Sequence, residues 1–538
     1  MKGARRAGAD PELVRLLAVA GEALRRGDFA AVEDAGGRAL QRAPDHAEAL
    51  NLLGTAALAR GRGAEAVALL EKAVARAPKA AMVRCNLAFA YRLAGRIDAA
   101  AGAAEEATRL DATLTPAFTV LGTALKELGR PQQAIAPLRR ALELSPGLAR
   151  AVLALGEALS TLGRGDEATR LYEDAVARTP GFSDAWSGLG WIHVEARRYA
   201  DAARCFRKAL ATRRASPWWP GDAAAVPPRP TTPANLLKLD HDIEQLAWLR
   251  DHGLLPAAVD IEAYRGVRER VAAAHGAAAN LVLSPQELGP IADSFARIVH
   301  WRETPMQTGP VLGEFDRAAI ETRYAAPPGV CWVDGLLTPR ALEELRRFCL
   351  DSTIWNDIAH NFRDGEVPRA YLGTYAGDGF CCPLLFQVAE ELTRELPAIF
   401  RDHRLQQMWA YKYEEHAEGI ALHGDDAAVN VNFWITPDAA NLDPQSGGLI
   451  VYPVEAPADW SFADINKHPD RIARFLAGSG VTPVEVPYRQ NRGVIFNSDL
   501  FHATAPLKFK PGYESRRINV TMLFGRRAAG GDEAIRAE

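Results

Sequence analysis

The chain of 538 residues contains no run of eighteen or more apolar residues, which excludes a helix of ordinary membrane-spanning length. It contains no C-x-x-C pair. Its six cysteines, Cys85, Cys205, Cys331, Cys349, Cys381 and Cys382, are scattered. That pattern argues against a disulfide framework or a cysteine-built zinc site and fits a reducing, cytoplasmic compartment. The adjacent Cys381 and Cys382 read as packing rather than redox chemistry. No charge sign dominates: 63 Lys+Arg against 67 Asp+Glu leave a net charge of -4, which argues against a general nucleic-acid binder. The amino-terminal stretch is basic, but Arg15, Glu22 and Arg25 break its apolar runs, so it reads as the start of a helix and not as a signal peptide. What is left is a chain 48% hydrophobic and too long for one core, so several domains are expected.

The first part of the chain has a period of 34 residues. One small-residue column is Ala66, Ala100, Ala134, Ala168 and Ala202, and a second is Ala73, Ala107, Ala141, Ala175 and Ala209. A leucine column runs Leu53, Leu87, Leu121, Leu155 and Leu189, beside Gly54, Gly122, Gly156 and Gly190, with Ala88 in the remaining slot. Pro44, Pro78, Pro146 and Pro180 close units, because proline cannot continue a helix; Ala112 replaces one of them. Small residues let two helices of a unit approach, while Phe118, Tyr172, Trp186 and Phe206 fill the space between units. In these columns the region resembles the tetratricopeptide (TPR) repeat. Five repeats run from about Ala47 to Arg214, preceded by a degenerate one with Val32 and Gly36 at the diagnostic positions. The array is assigned to 10–214. Such arrays present a groove, here assigned to Asn51, Thr55, Cys85, Phe89, Thr119, Thr123, Leu153, Glu157, Ser187 and Trp191. A protein or peptide ligand is the favoured occupant; a spacer or dimerisation surface is the alternative.

Residues 216–233, with six prolines and the pair Trp218 and Trp219, read as a stiff linker within a connector spanning 215–327. From Ala234 to about His300 the pattern is helical, either capping the array or packing on the C-terminal domain. That domain is assigned to 328–527, with a flexible tail at 528–538. It opens with a strand, a cap at Thr338 and an amphipathic helix, then a second helix. Short strands continue to the end. A helical lead-in before an all-β run suits a double-stranded β-helix (jelly roll) with supporting helices. The fold class is therefore multidomain α + β, an α-solenoid followed by a jelly roll.

The chemistry is expected in that second domain. His423 and Asp425 form a His-x-Asp pair at the mouth of the strand AVNVNFWIT, where positions i and i+2 share a face. His502 ends a later strand, GVIFNSDLFH. Two histidines and one carboxylate in this order can form the open-sided facial triad of a non-haem Fe(II) site. His46-Ala-Glu48 and His193-Val-Glu195 lie on repeat helices, where i and i+2 diverge; His416 is the local rival of His423, and His468 that of His502. Arg517 comes fifteen residues after His502 and shares an inward face with Asn519 and Thr521, with Arg516 as its rival. A guanidinium grips a carboxylate bidentately.

Together His423-x-Asp425, His502 and Arg517, within about Val330 to Phe524, resemble the 2-oxoglutarate/Fe(II)-dependent dioxygenase superfamily, closest to its prolyl-hydroxylase branch. The resemblance implies Fe(II) held by His423, Asp425 and His502, and 2-oxoglutarate anchored through its distal carboxylate by Arg517. It implies C–H hydroxylation with release of succinate and CO2. Asn519 stands where that family often has Ser or Thr. Tyr413, Asn432 and Asn519 are further candidates for the cosubstrate pocket, Asn430, Asn432 and Trp434 share one strand face, and Tyr371, Tyr375 and Phe380 are candidates for an aromatic lip. The expected protein is thus a hydroxylase whose TPR groove recruits a polypeptide. The alternatives are a small-molecule oxygenase, a TPR scaffold with a silent barrel, and, more weakly, a structural zinc site.

Overall fold

Positive-φ glycines make the repeat turns. In the computed structural model, which describes residues 10–219, 231–276, 281–358, 371–457, 460, 462–466 and 468–526, the 34-residue period becomes pairs of helices. They are α1 (Pro11–Arg26) with α2 (Phe29–Arg42), α3 (Ala47–Ala59) with α4 (Gly63–Arg76), α5 (Ala81–Leu93) with α6 (Ile97–Leu110), α7 (Thr115–Glu127) with α8 (Pro131–Leu144), and α9 (Ala149–Thr161) with α10 (Gly165–Arg178). Gly61, Gly95, Gly129 and Gly163 end the first helix of a pair at φ between 69° and 75°. At the first of these the Arg62 amide donates back to the Ala57 carbonyl at 2.9 Å, the closing bond of a glycine C-cap. Ala66, Ala100, Ala134 and Ala168 are fully buried. A Cβ on Gly54 would overlap Leu70, one on Gly122 would overlap Leu138, and one on Gly156 would overlap the Tyr172 ring. The glycine column is therefore where the two helices of a unit touch.

The chain divides into two compact units, Met1–Gly188 and Leu189–Glu538. Helix α11 (Ser183–Glu195) spans the boundary, and α12 (Tyr199–Arg214) belongs to the second unit. The groove assignment needs correction at three positions. Cys85 is fully buried between repeats, and Thr119 and Thr123 are buried with their hydroxyls donating back to the carbonyls of Thr115 and Thr119. All three side chains are buried and present no surface to a ligand. Asn51 and Thr55 do lie at the surface, where the Asn86 amide reaches them at 2.9 and 3.3 Å.

In the second unit, α12 is core. Phe206 and Tyr199 stack on Phe386 at 6.0 and 5.9 Å between centroids, and Phe206 meets Trp191 edge-on at 5.2 Å. Arg213 and Arg214 grip Asp378 at 3.0 and 3.3 Å. Burial alone would raise the Asp378 carboxyl, but Arg214 and Arg213 hold it below the usual carboxylate range. Residues 232–233, expected as linker, are strand: β1 (Thr232–Ala234) pairs antiparallel with β2 (Leu281–Leu283). Residues 216–219 are packed rather than linker-like, with the Ser216 hydroxyl donating to the Ile298 carbonyl and Trp219 in the core; 220–230 lie outside the described residues. Helix α13 (Leu236–Asp251) and α14 (Ile261–His275) pack on each other and share a core with β2; short α15 (Pro285–Leu288) and α16 (Arg317–Ala325) complete the connector. Of the two placements open to these helices, α13 takes the one against the C-terminal domain: Gln245 donates to the carbonyls of Leu350 and Ser352.

The remaining strands form several sheets. The largest holds seven antiparallel strands in the order β3 (Val330–Asp334), β11 (Arg492–Asn497), β8 (Val429–Trp434), β14 (Ile518–Phe524), β6 (Leu405–Tyr413), β5 (Tyr371–Tyr375) and β4 (Asp357–Ile358). A second sheet runs β10 (Val484–Val486), β9 (Leu449–Glu455), β12 (Leu500–Thr504), and β13 (Leu507–Lys508) pairs with β7 (His416–Ala417). One face of the large sheet, carrying Val431, Phe433, Val520 and Met522, packs on α17 (Pro339–Asp351) and α18 (Pro383–Glu395). Thr338 caps α17 as expected, accepting from the Ala341 amide. Phe380 is fully buried in this helical-side core, so it belongs to no lip; Cys381 and Cys382 lie there too, and burial pushes the Cys382 thiol up to about 12, as packing residues require. The other face, with Tyr371, Tyr413 and Trp434, shares a core with Leu449, Val451, Val486 and Leu500 of the second sheet. The expected unbroken β-run is interrupted: after α19 (Pro397–Phe400), helices α20 (Phe462–Asn466) and α21 (Pro469–Ser479) stand between β9 and β10, and His468 is the residue preceding α21 rather than part of a turn.

Candidate metal centre

His423 and Asp425 stand at the mouth of β8, as expected, but in a segment that is not itself a regular strand: His423 forms an isolated antiparallel bridge with His502. The His423 amide donates to the His502 carbonyl at 3.0 Å, and the His502 amide returns to the His423 carbonyl at 2.9 Å. This hydrogen-bonded pair sets the two imidazoles 4.3 Å apart between centroids. His502 sits within β12, opposite Val451 and beside a register shift. The stretch GVIFNSDLFH is accordingly two strands, β11 and β12, with a turn between them.

Each imidazole is oriented by its own backbone. His423 Nδ1 lies 2.8 Å from the Ala421 carbonyl, and His502 Nδ1 lies 3.3 Å from that of Leu500. A carbonyl accepts only, so these contacts assign the proton to Nδ1 and leave Nε2 as the ligating atom on each ring. His502 Nε2 is 3.4 Å from Asp425 Oδ2, and His423 Nε2 is 3.9 Å from Asp425 Oδ1. One ligand atom from each of the three residues falls within 4.8 Å of the other two, and among the described residues this is the one such cluster of His, Cys, Asp and Glu. Burial raises the Asp425 carboxyl, but His502, His423 and a hydrogen bond from Asn430 outweigh it and hold the group below its ordinary value. Phe496 packs edge-on against His502 at 5.0 Å. The rivals fall away. His416 is exposed on β7 opposite Lys508, and His468 is exposed ahead of α21.

Arg517 is 1% exposed, just before β14, and its carbonyl accepts from the Tyr413 amide. The guanidinium lies 4.7 Å from the Tyr413 ring centroid, 5.6 Å from Trp434 and 5.9 Å from Tyr488. Its Nε donates to the Gly447 carbonyl at 2.7 Å. Its Nη1, the Tyr413 hydroxyl and the Trp434 Nε1 are buried without a hydrogen-bond partner. A buried cation with an unmatched Nη1 and no facing carboxylate among the described residues fits an anionic ligand. Arg516 points the other way and makes a two-pronged pair with Glu244 on α13, at 2.7 and 3.0 Å.

Between the two places lies an amide chain. Asn430 Nδ2 donates to Asp425 Oδ2 at 2.7 Å, and Asn432 Nδ2 to Asn430 Oδ1 at 2.6 Å. Asn432 Oδ1 accepts from Asn519 Nδ2 at 2.9 Å and from the Thr521 hydroxyl at 2.8 Å. Asn432 and Asn519, candidates for cosubstrate contact, are therefore engaged first with each other. The pattern of the sequence did not single out Tyr488 or the Gly447 carbonyl as walls of this pocket. The signal available was the glycine pair: a Cβ on Gly448 would overlap the Val486 carbonyl, so the turn must be glycine for β9 and β10 to close.

Residues 23–84 and 125–192 match one tetratricopeptide repeat model and 185–217 a second. The N-terminal region thus consists of tetratricopeptide repeats, modules that bind protein or peptide partners. Similar solved structures include YrrB, described as a TPR protein with an unusual peptide-binding site, at 23% identity over 33% of this chain and 92% of that one, with a TM-score of 0.30. TTC0263 of Thermus thermophilus, a thermophilic TPR protein, is 26% identical over 35% of this chain and 98% of its own, TM-score 0.28. Pseudomonas aeruginosa pilF is 18% identical over 38% and 92%, TM-score 0.34. No curated protein matches the chain. No helix among the described residues is long and apolar enough to cross a membrane.

Proposed function

We propose that the second unit is a 2-oxoglutarate- and Fe(II)-dependent oxygenase and that the repeats bring it a polypeptide substrate. The observation that carries this is the convergence of His423, Asp425 and His502, with both Nδ1 atoms already committed to carbonyls. The facing antiparallel sheets with helices on one outer face support a jelly-roll reading. His423 Nε2, His502 Nε2 and an Asp425 oxygen would hold the iron, and three protein ligands leave the remaining positions open. Arg517 and Tyr413 would grip the distal carboxylate of 2-oxoglutarate, for which their unmatched donors are suited. Trp434, Tyr488 and Phe496 keep water from the pocket. Iron with 2-oxoglutarate supplies the oxidation: the cosubstrate and dioxygen become succinate and CO2 as a substrate C–H becomes C–OH.

Anaerobic titration with Fe(II) and 2-oxoglutarate, then succinate release on admitting air with and without candidate peptides, tests the reading. One iron and one 2-oxoglutarate per chain, with peptide-stimulated succinate, are expected. Failure to take up iron, or succinate release undiminished in His423→Ala, would sink it.

A further inference from the structure

The amide chain on the floor of the site has a direction. Asp425 as a carboxylate can only accept, so Asn430 must present its NH2 to it and its oxygen to Asn432. Asn432 then turns its oxygen toward β14, where only donors are useful, and the Thr521 hydroxyl and Asn519 NH2 both supply them. Asn519 NH2 also donates to the Thr521 oxygen at 3.0 Å, which leaves the Thr521 proton for Asn432. Every amide orientation is thereby fixed by its neighbours, from β14 to the carboxylate. All four side chains are buried on strands where an apolar residue would fill the same space. Replacing a buried polar network by well-packed apolar groups is often neutral or stabilising, so stability alone does not account for it.

We propose that Asn430, Asn432, Asn519 and Thr521 are positioning residues that orient Asp425 for the metal, an inference that rests on the proposed iron site. The chain holds Asp425 Oδ2 in a hydrogen bond and so fixes the plane of the carboxylate that His502 Nε2 and His423 Nε2 face. A carboxylate free to turn would offer both oxygens and occupy a position that the reaction needs open. The chain also starts on β14 two residues from Arg517, so the strand that anchors the cosubstrate is the strand that orients the iron ligand.

The test uses Co(II) in the full-length protein, with its visible absorption spectrum and affinity as readouts, beside succinate turnover and the melting temperature of the metal-free form. Thr521→Val is isosteric and removes the donor at the end of the chain remote from Asp425; Thr521→Ser keeps it. Removing an outer partner of a metal ligand typically costs about 10–100-fold in affinity or activity. Thr521→Val is expected to change the Co(II) spectrum and lose about tenfold or more in affinity or turnover, while Thr521→Ser restores both. Because the Asn519 amide still donates to Asn432 Oδ1 in Thr521→Val, the Asn519→Leu/Thr521→Val double variant removes both donors, and that protein with the wild-type spectrum, affinity and turnover would overturn the relay. Should either variant fail to fold, Asn432→Asp, which sets an acceptor against Asn430 Oδ1, reads the same change. Wild-type protein that binds no Co(II) overturns the metal reading itself and the relay with it, an outcome distinct from a silent double variant.

Discussion

Arg516 and Arg517 are chemically identical and adjacent, yet backbone alternation gives them different work. Arg516 is tied to Glu244, and Arg517 is buried among the Tyr413, Trp434 and Tyr488 rings. Arg517→Ala should raise the 2-oxoglutarate requirement steeply, by roughly 2–5 kcal/mol for a desolvated charge partner, with iron binding nearly intact. Arg516→Ala should lower stability and leave cosubstrate affinity close to wild type; titration calorimetry beside denaturant melts separates the two, and the reverse pattern would place the wrong arginine in the pocket. Lys412 offers a second residue-level test. It is 1% exposed on the helical side of β6, donating to the Tyr513 hydroxyl at 2.8 Å. Burial holds its ammonium well below the usual lysine range. The unfolded chain therefore binds that proton more tightly than the folded one, and between the two values stability rises with pH. Lys412→Met should stabilise the protein most below the depressed Lys412 value and lose that gain as pH rises toward the ordinary lysine range, as urea melts would record; an unchanged slope would mean that Lys412 stays charged in the fold. Spacing singled out His423, Asp425 and His502, and the family resemblance singled out Arg517 over Arg516. The carbonyls that orient the imidazoles and the aromatic walls of Arg517 were not legible, because they come from segments joined only by folding.

At the scale of elements, periodicity was the readable signal. The repeat columns gave the helix pairs, and alternation gave the shared face of Asn430, Asn432 and Trp434. Alternation treated His423 and Asp425 as two positions on one strand face; they precede β8, and a cross-strand pair with His502 places His423, a pairing with no local signature. Helices α20 and α21 were missed because Pro469 comes after a polar stretch that resembles a turn. The end of the repeat array is subtler. Helix α12 has repeat spacing, yet its Tyr199 and Phe206 pack on Phe386 in the second unit. A chain starting after residue 214 should therefore expose that core and aggregate, whereas one starting at Ser183 keeps α11 and α12 and should fold. Within the array, Gly156→Ala should cost about 1–3 kcal/mol by forcing the Tyr172 ring aside, measured by thermal unfolding. A neutral result would mean that the two helices of that repeat leave room for a methyl group between them.

At the scale of the whole molecule, a repeat array and a candidate oxidative site share one chain, and the array contains none of the metal or cosubstrate residues. Under the proposed function, recruitment is the role the repeats would play: a polypeptide bound there would have a raised effective concentration for the metal site of the same chain. The first-helix face offers the partly buried Asn51, Thr55 and Phe89 for such a ligand, with Met82 and Leu93, about half exposed, beside Phe89 on α5. Removing residues 1–182 should leave iron binding and substrate-independent 2-oxoglutarate turnover in place, because every residue involved lies beyond Tyr411. Oxidation of the polypeptide should fall through KM, with kcat little changed, since local concentration is lost and chemistry is not. Kinetics of the truncated and full-length proteins on the same substrate decide the matter. Unchanged kcat/KM would remove the recruitment role and leave the array as a dimerisation or localisation module, and a fall in kcat alone would mean that the repeats act on the site itself.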